Sequence, residues 1–205
     1  QDLTERISYN FTNVRKEAAA GSTPHFWKIS NWSLNYAYAE NLRKDFNTKY
    51  DRTKTWTGGI NYNYSFNAVP LEPFKKVKFM QKSKWWTIVR DMNLYVTPKN
   101  VSFSNDLSRI YNERQIRNNL DPTSDFEFQP VYVKQFNWKR TYNLGYDITK
   151  NLKFSFDATN RSIFEEGQGR VDKKADPVGY QSFRDSISSQ LLAGGKTMDY
   201  THNYT

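Results

Sequence analysis

Between Phe136 and Phe164 the chain alternates. Phe136, Trp138, Tyr142, Leu144, Tyr146 and Ile148 are apolar or aromatic, with Arg140 the one exception, and Asn137, Lys139, Thr141, Asn143, Gly145 and Asp147 stand between them. After residues 149–151 the pattern resumes, with Leu152, Phe154, Phe156 and Ala158 on one face and Lys153, Ser155, Asp157 and Thr159 on the other. A period of two sends successive side chains to opposite faces, so this stretch predicts two strands. A three-residue loop closes them into a hairpin that sets Ile148 opposite Leu152, Tyr146 opposite Phe154 and Leu144 opposite Phe156. The other face then pairs Asp147 with Lys153, and a slip of one residue would scramble both faces. Each arm holds roughly ten or more alternating residues, beyond the ~5–6 of a soluble strand and near the ~9–11 of a membrane-spanning one.

The same pattern recurs along the chain. Strands are predicted over 3–16, where Ile7, Tyr9 and Phe11 share a face, and over 26–39, with Trp32, Leu34, Tyr36 and Tyr38. A third covers 55–66, with Trp56, Ile60, Tyr62, Tyr64 and Phe66 against Thr57, Gly59, Asn61, Asn63 and Ser65. The fourth covers 100–117, setting Val101, Phe103 and Leu107 against Ser102, Ser104 and Asp106, while Arg109, Glu113, Arg114 and Arg117 suggest an extension past a membrane. A last strand begins at Lys196, with Met198, Tyr200 and Tyr204 on one face. Between them, 40–54 reads as a charged, solvated loop and 118–135 as a loop around Asp121-Pro122. A short helix is predicted over 184–192, ending at Gly194-Gly195.

Composition turns this pattern toward a membrane. Aromatics make up 17% of the 205 residues while hydrophobics total only 37%, and the mean hydropathy is −0.87. An ordinary core is rich in Leu, Ile, Val and Ala; here the apolar material is aromatic and dispersed in alternation, the signature of a transmembrane β-barrel. No run approaches the ~18 apolar residues of a transmembrane helix. The fold expected is all-β: an antiparallel transmembrane β-barrel segment with long extracellular loops. About seven strands fall short of the eight of the smallest bacterial barrels, and an open sheet edge is not viable in lipid, so the segment is part of a larger barrel or pairs with neighbours. Residues 1–205 then form one piece of a single outer-membrane barrel domain, and with no signal peptide and Gln1 first, a fragment or mature piece is expected.

If the tight turn at 149–151 is periplasmic, alternation of sides puts 40–54, 118–135 and 165–195 outside the cell and the short 17–24 connection in the periplasm. The long stretch 67–99 is then a periplasmic excursion. In it Lys75, Lys76, Lys78, Lys82 and Lys84 surround Phe79 and Met80 ahead of Trp85-Trp86, a pattern that suits either a solvated linker or a contact with headgroups or a partner.

Charge and candidate chemistry add little catalysis. The net charge of +9 admits a polyanion such as lipopolysaccharide; the cations are dispersed through strands, which argues against nucleic acid. Cysteine is absent, which removes disulfides and thiol chemistry. His25 and His202 are far apart, and the adjacent Glu165 and Glu166 point to opposite faces, so no catalytic residue, metal site or cofactor is expected and the chain reads as no enzyme. The expected surfaces are two. Trp56, Ile60, Tyr62, Tyr64, Trp138, Tyr142, Leu144, Tyr146, Phe154 and Phe156 face lipid; Asn61, Asn63, Ser65, Asn137, Thr141, Asn143, Ser155 and Thr159 line a wet lumen.

Three stretches carry a resemblance. Asn100–Arg117 (NVSFSNDLSRIYNERQIR), Phe136–Asn160 (FNWKRTYNLGYDITKNLKFSFDATN) and Gly194–His202 (GGKTMDYTH) resemble strands of the SprA (Sov) family, the outer-membrane translocon of the type IX secretion system and of gliding motility in Bacteroidetes. The likeness covers about residues 56–205, and 1–55 loosely. It implies a protein-conducting pore in the bacterial outer membrane that exports folded cargo proteins. It also implies partners: outer-membrane lipids and lipopolysaccharide, the remainder of the same barrel, a plug protein, a PorV-type shuttle barrel and a periplasmic isomerase lipoprotein. Another outer-membrane transport barrel, with a more charged inner face, and a soluble aromatic-rich β-sandwich binding module are the alternatives.

Overall fold

Aromatic residues at every second position cannot make a helical stripe of period 3.6, so these segments extend and pair edge to edge. The computed structural model describes residues 2–72, 93–119, 126–149, 152–171, 173–174 and 176–205. The strands are β1 (Leu3–Val14), β2 (Trp32–Lys44), β3 (Thr48–Ser65), β4 (Pro70–Leu71), β5 (Leu94–Tyr95), β6 (Asn100–Ile116), β7 (Val131–Asp147), β8 (Lys153–Phe164) and β9 (Lys196–Tyr204). One helix, α1 (Pro177–Ala193), precedes β9. Seven strands form a single antiparallel sheet in the order β1-β2-β3-β6-β7-β8-β9, and β4 pairs with β5 as a small ribbon. The β7–β8 register matches the expected one: Leu144 faces Phe156, Tyr146 faces Phe154 and Asp147 faces Lys153.

The predicted loop at 40–54 is a correction. Those residues are the adjoining ends of β2 and β3, and only 45–47 turn. Their charges compensate across the ladder rather than dissolve in solvent: Glu40 faces Lys54 and Arg43 faces Asp51. Glu40 Oε1 lies 3.5 Å from Arg52 Nε and 3.8 Å from Lys54 Nζ. The reversal itself is made by Asp45, whose Oδ1 accepts from the backbone N–H of Asn47 at 3.0 Å and of Thr48 at 2.7 Å. The Thr48 backbone hydrogen bond, first among several causes, holds the Asp45 carboxyl below its usual value.

Other boundaries move for local reasons. β2 starts at Trp32 rather than 26, because the Asn31 amide donates to the carbonyls of His25 and Phe26 and closes a turn. β7 starts at Val131, which shortens the 118–135 loop. The helix begins well before residue 184. Asp176 caps it by accepting from Gly179 N–H at 2.9 Å, Pro177 opens its first turn, and Gly194 at φ 86° ends it. Met198 falls where the β8–β9 register shifts, so of the expected face of the last strand only Tyr200 and Tyr204 pair in line, opposite Asn160 and Phe156.

Connection length no longer orients the sheet. One end carries 15–31, 66–99 and the reversal at 148–152; the other carries 45–47, 117–130 and 165–195. Each end has one tight turn and two longer connections, so connection length does not set the two ends apart. Residues 73–92, with the basic 75–84 stretch, and Asp121-Pro122 lie outside the described residues.

The sheet is one layer thick over most of its area. Among the described residues only Ala158 and Phe164 are buried apolar side chains. The edge strands β1 and β9 are exposed along their whole length. Each leaves a row of unpaired backbone groups, which is a template for another strand.

Candidate functional site

Directly opposed residues in an antiparallel pair share a face, so the register sorts every strand residue into one of two surfaces. The first is aromatic. One row across it runs Trp32, Tyr62, Phe103, Tyr142, Ala158, His202, and the next runs Tyr64, Val101, Leu144, Phe156, Tyr204. A further row holds Tyr38, Trp56, Arg109, Phe136 and Phe164. Rings touch across strands: Trp32–Tyr62 at 5.0 Å, Phe103–Tyr142 at 5.1 Å, Phe136–Phe164 at 4.6 Å and Phe156–Tyr204 at 5.3 Å between centroids. All ten residues expected to face lipid lie on this surface. Tyr142 remains 39% exposed, so no second layer covers the ring there.

The aromatic band is crossed by one polar row: Leu34, Ile60, Asn105, Arg140, Asn160, Tyr200. Arg140, the residue that broke the alternation, stacks 4.1 Å above the Trp138 ring. Its guanidinium donates to Asn160 Oδ1 at 2.7 Å, Ser162 Oγ at 3.1 Å and the Gly194 carbonyl at 3.2 Å. The Trp138 indole N–H donates to Asn105 Oδ1. The charge therefore meets acceptors and the carbonyl end of α1, where cations are favoured.

Toward the 45–47 end the same face changes character. Glu40, Lys54, Tyr111 and Lys134 form one row, and Leu42, Arg52, Glu113 and Tyr132 the next. Residues 165–171 and α1 fold over this part. Glu166 holds them down, accepting from Arg109 Nε and Nη2 at 2.6 Å each, with its side chain only 1% exposed. Arg109 also lies over the Trp56 and Phe183 rings at 5.1 and 5.5 Å. Glu165 points the other way and meets Lys196 at 3.1 Å.

The second surface is polar, and it holds all eight residues expected to line a lumen. Ser33, Asn61, Ser104, Thr141, Thr159 and Thr201 form one unbroken row; Asn63, Ser102, Asn143, Asp157 and Asn203 form the next. Ser65 and Ser155 lie beside Asn100 and Gly145, and Asn137 faces Ser108. Ser104 Oγ donates to Asn61 Oδ1 at 2.7 Å. Asn143, between Ser102 and Asp157, accepts from the serine hydroxyl at 2.9 Å and donates to the aspartate at 2.7 Å. Gly59 leaves room for Asp106, whose Oδ1 would lie 2.7 Å from any Cβ there. This face carries more charge than the eight expected residues suggest: Asp106, Lys139, Arg161 and Asp199 follow one another across four strands, and Arg43, Asp51 and Arg114 across three.

Sequence reading missed the Arg109–Glu166 clamp and the rings of Tyr180 and Phe183 beside it, because no local pattern ties residues so far apart. The break at Arg140 was the one visible sign that something polar crosses the band. No family model matches the chain, and no curated protein matches it either.

Proposed function

We propose that these strands are part of the protein-conducting outer-membrane pore of a type IX secretion system, a wall section of a large antiparallel β-barrel that exports folded proteins. The observation that carries the membrane part is the sheet itself. Over most of its area it is one layer, aromatic on one face and polar on the other, with a bare edge at each side. A soluble sandwich would need a second sheet over the rings, and the described residues provide none. Lipid satisfies the aromatic face, water the polar face, and further strands of the same barrel the edges. From the Trp56 row to the Tyr146–Phe154 pair, β7 runs from Phe136 to Tyr146, a length that suits the ~9–11 residues of a spanning strand. Arg140 is the cost of this arrangement. In mid-membrane an arginine costs about 2–4 kcal/mol, offset here by three acceptors and a ring.

The secretion part rests on the resemblance of 100–117, 136–160 and 194–202 to the SprA family. In that role the aromatic face meets outer-membrane lipid and lipopolysaccharide, the polar face meets passing cargo, and the plug protein, PorV-type shuttle barrel and isomerase lipoprotein act around the same pore. A second reading, a different outer-membrane transport barrel, is favoured by the ionic rows through Asp106–Lys139–Arg161–Asp199, since a solute transporter would charge its lumen.

Single cysteines separate these readings in the intact protein, made otherwise cysteine-free, in its membrane. A charged thiol reagent is expected to label Asn143→Cys and Asn63→Cys, and to leave Tyr142→Cys and Phe156→Cys untouched. The reverse pattern would end the membrane-facing assignment. A photo-crosslinker on Asn143→Cys should trap secreted proteins in transit; if it traps none while small solutes still pass, the transporter reading wins.

A further inference from the structure

Where the aromatic band gives way to the ion-paired end of the same face, Arg170, Val171, Lys173 and α1 stand over the sheet and leave a cleft of about 380 Å³. Cations enter it from three elements: Arg52 and Lys54 of β3, Arg109 of β6, and Arg170 and Lys173 of the covering segment. Glu113 is the carboxylate in its lining, and it accepts from the Tyr50 and Tyr111 hydroxyls at 2.8 and 3.3 Å. Glu166 is committed to Arg109 through both oxygens. Glu40 serves Arg52 and Lys54 together at 3.5 and 3.8 Å while accepting from the Tyr38 hydroxyl at 2.6 Å. Among the described residues, five cations thus stand beside three carboxylates. Arg52 Nε makes no hydrogen bond among the described residues although it is enclosed. The described lining is cationic on balance, and its floor includes Trp56, the first ring of the aromatic band.

We propose that this cleft binds the phosphate of an anionic membrane amphiphile, held by Arg52, Lys54 and Lys173, with the apolar part of the ligand running from Trp56 along the aromatic face. The assignment rests on the membrane reading given above and adds to it a site and a ligand class. Its physics is that of an interface: Trp and Tyr settle at the level of headgroups, and clustered Lys and Arg there attract anionic lipid. A free phosphate would use the same cations without the ring. Phosphate chemistry is therefore common to both sources, and the position at the edge of the band selects the lipid. Added salt weakens the contact.

The test uses the intact protein in phosphatidylcholine vesicles doped with phosphatidylglycerol bearing a photoreactive group near its headgroup. Crosslinks are expected on peptides holding Arg52–Trp56 and Val171–Lys173. The triple variant Arg52→Gln, Lys54→Gln, Lys173→Gln should lose labelling there by roughly a hundredfold, with labelling elsewhere unchanged. The charge-keeping Lys54→Arg variant should retain it, which separates ligand loss from misfolding. Labelling of these peptides that the triple variant leaves intact would overturn the proposal, as would an absence of labelling in a protein that inserts normally. Displacement by inorganic phosphate but not by unlabelled phosphatidylglycerol would keep the anion site and overturn the lipid as its source. Labelling with the same phosphate competition in protein that never inserts would instead sink the membrane reading and leave the cleft a soluble-phosphate site.

Discussion

Strands β3, β6 and β7 carry two regions on one face, built on the same backbone, the same alternation and the same ladder of hydrogen bonds. In one, Tyr62, Phe103 and Tyr142 stand opposite each other; in the other, Lys54, Tyr111 and Lys134 do. No second layer covers the first, where only the Tyr62 hydroxyl reaches out to the Phe26 carbonyl at 2.8 Å; the second lies under α1 and residues 165–171, pinned by Glu166 on Arg109. Alternation fixes which way a side chain points and nothing about its neighbour. Residue class decides that: rings tolerate contact with hydrocarbon, whereas a row of ions needs partners or water, and here part of the partner is the chain itself.

The largest test of this contrast is to put one charge into each half. Phe156→Arg in the intact protein should cost about 2–4 kcal/mol of stability in lipid near the middle of the band, whereas Tyr132→Arg, in the ion-paired half, should cost about 0–1 kcal/mol. Urea unfolding in vesicles measures both, and equal costs would erase the distinction between the halves. Next is the clamp. Glu166→Gln leaves Arg109 without its anion, and since Arg109 is a quarter exposed the loss should sit near the lower end of the ~3–5 kcal/mol seen for buried pairs. The readout is hydrogen exchange in α1, which should quicken while β7 and β8 in the aromatic half stay protected. Quickening in both halves would mean that the cover stabilises the whole sheet.

A smaller effect is expected on the wet face. Ser104→Ala removes a hydroxyl whose one proton serves Asn61 Oδ1 at 2.7 Å or Asp106 Oδ2 at 2.8 Å, worth about 1 kcal/mol where water can replace it. A much larger loss in the same unfolding assay would show that this face is dry. The smallest effect concerns the far end of the ion-paired half. Asp45 is held low by the Thr48 backbone N–H, and Glu127 by a hydrogen bond from Lys49 at 2.5 Å. Both carboxyls are depressed in the fold, so their contribution is present above their ordinary values of 3.8 and 4.5 and fades as pH falls through the folded values. Amide protection at Asn47 and Thr48 should therefore drop in acid with no matching change at Tyr142. Protection at Asn47 and Thr48 that falls no sooner than that at Tyr142 as the pH is lowered would show that the turn does not depend on the Asp45 carboxylate.

The alternation at 136–164 was enough to determine two strands, their faces and their register, because a hairpin's turn length and its two-residue period over-determine the pairing. It also determined which side of every paired strand bears the rings. Charged stretches were illegible in the same way: 40–54 has the composition of a loop, and only the cross-strand partners of Glu40 and Arg43 reveal it as ladder. The start of α1 was written in Asp176-Pro177, a capping pair that hydrophobic periodicity does not weigh. Tertiary structure alone decided that Glu166 would meet Arg109, that Arg140 would rest beneath the end of α1, and that cations from β3, β6 and the covering segment would share one cleft. Period and turn chemistry act over neighbouring residues, so a sequence displays them directly. Charge pairing across the sheet acts between residues brought together only after the strands are in register, and no local pattern can announce it.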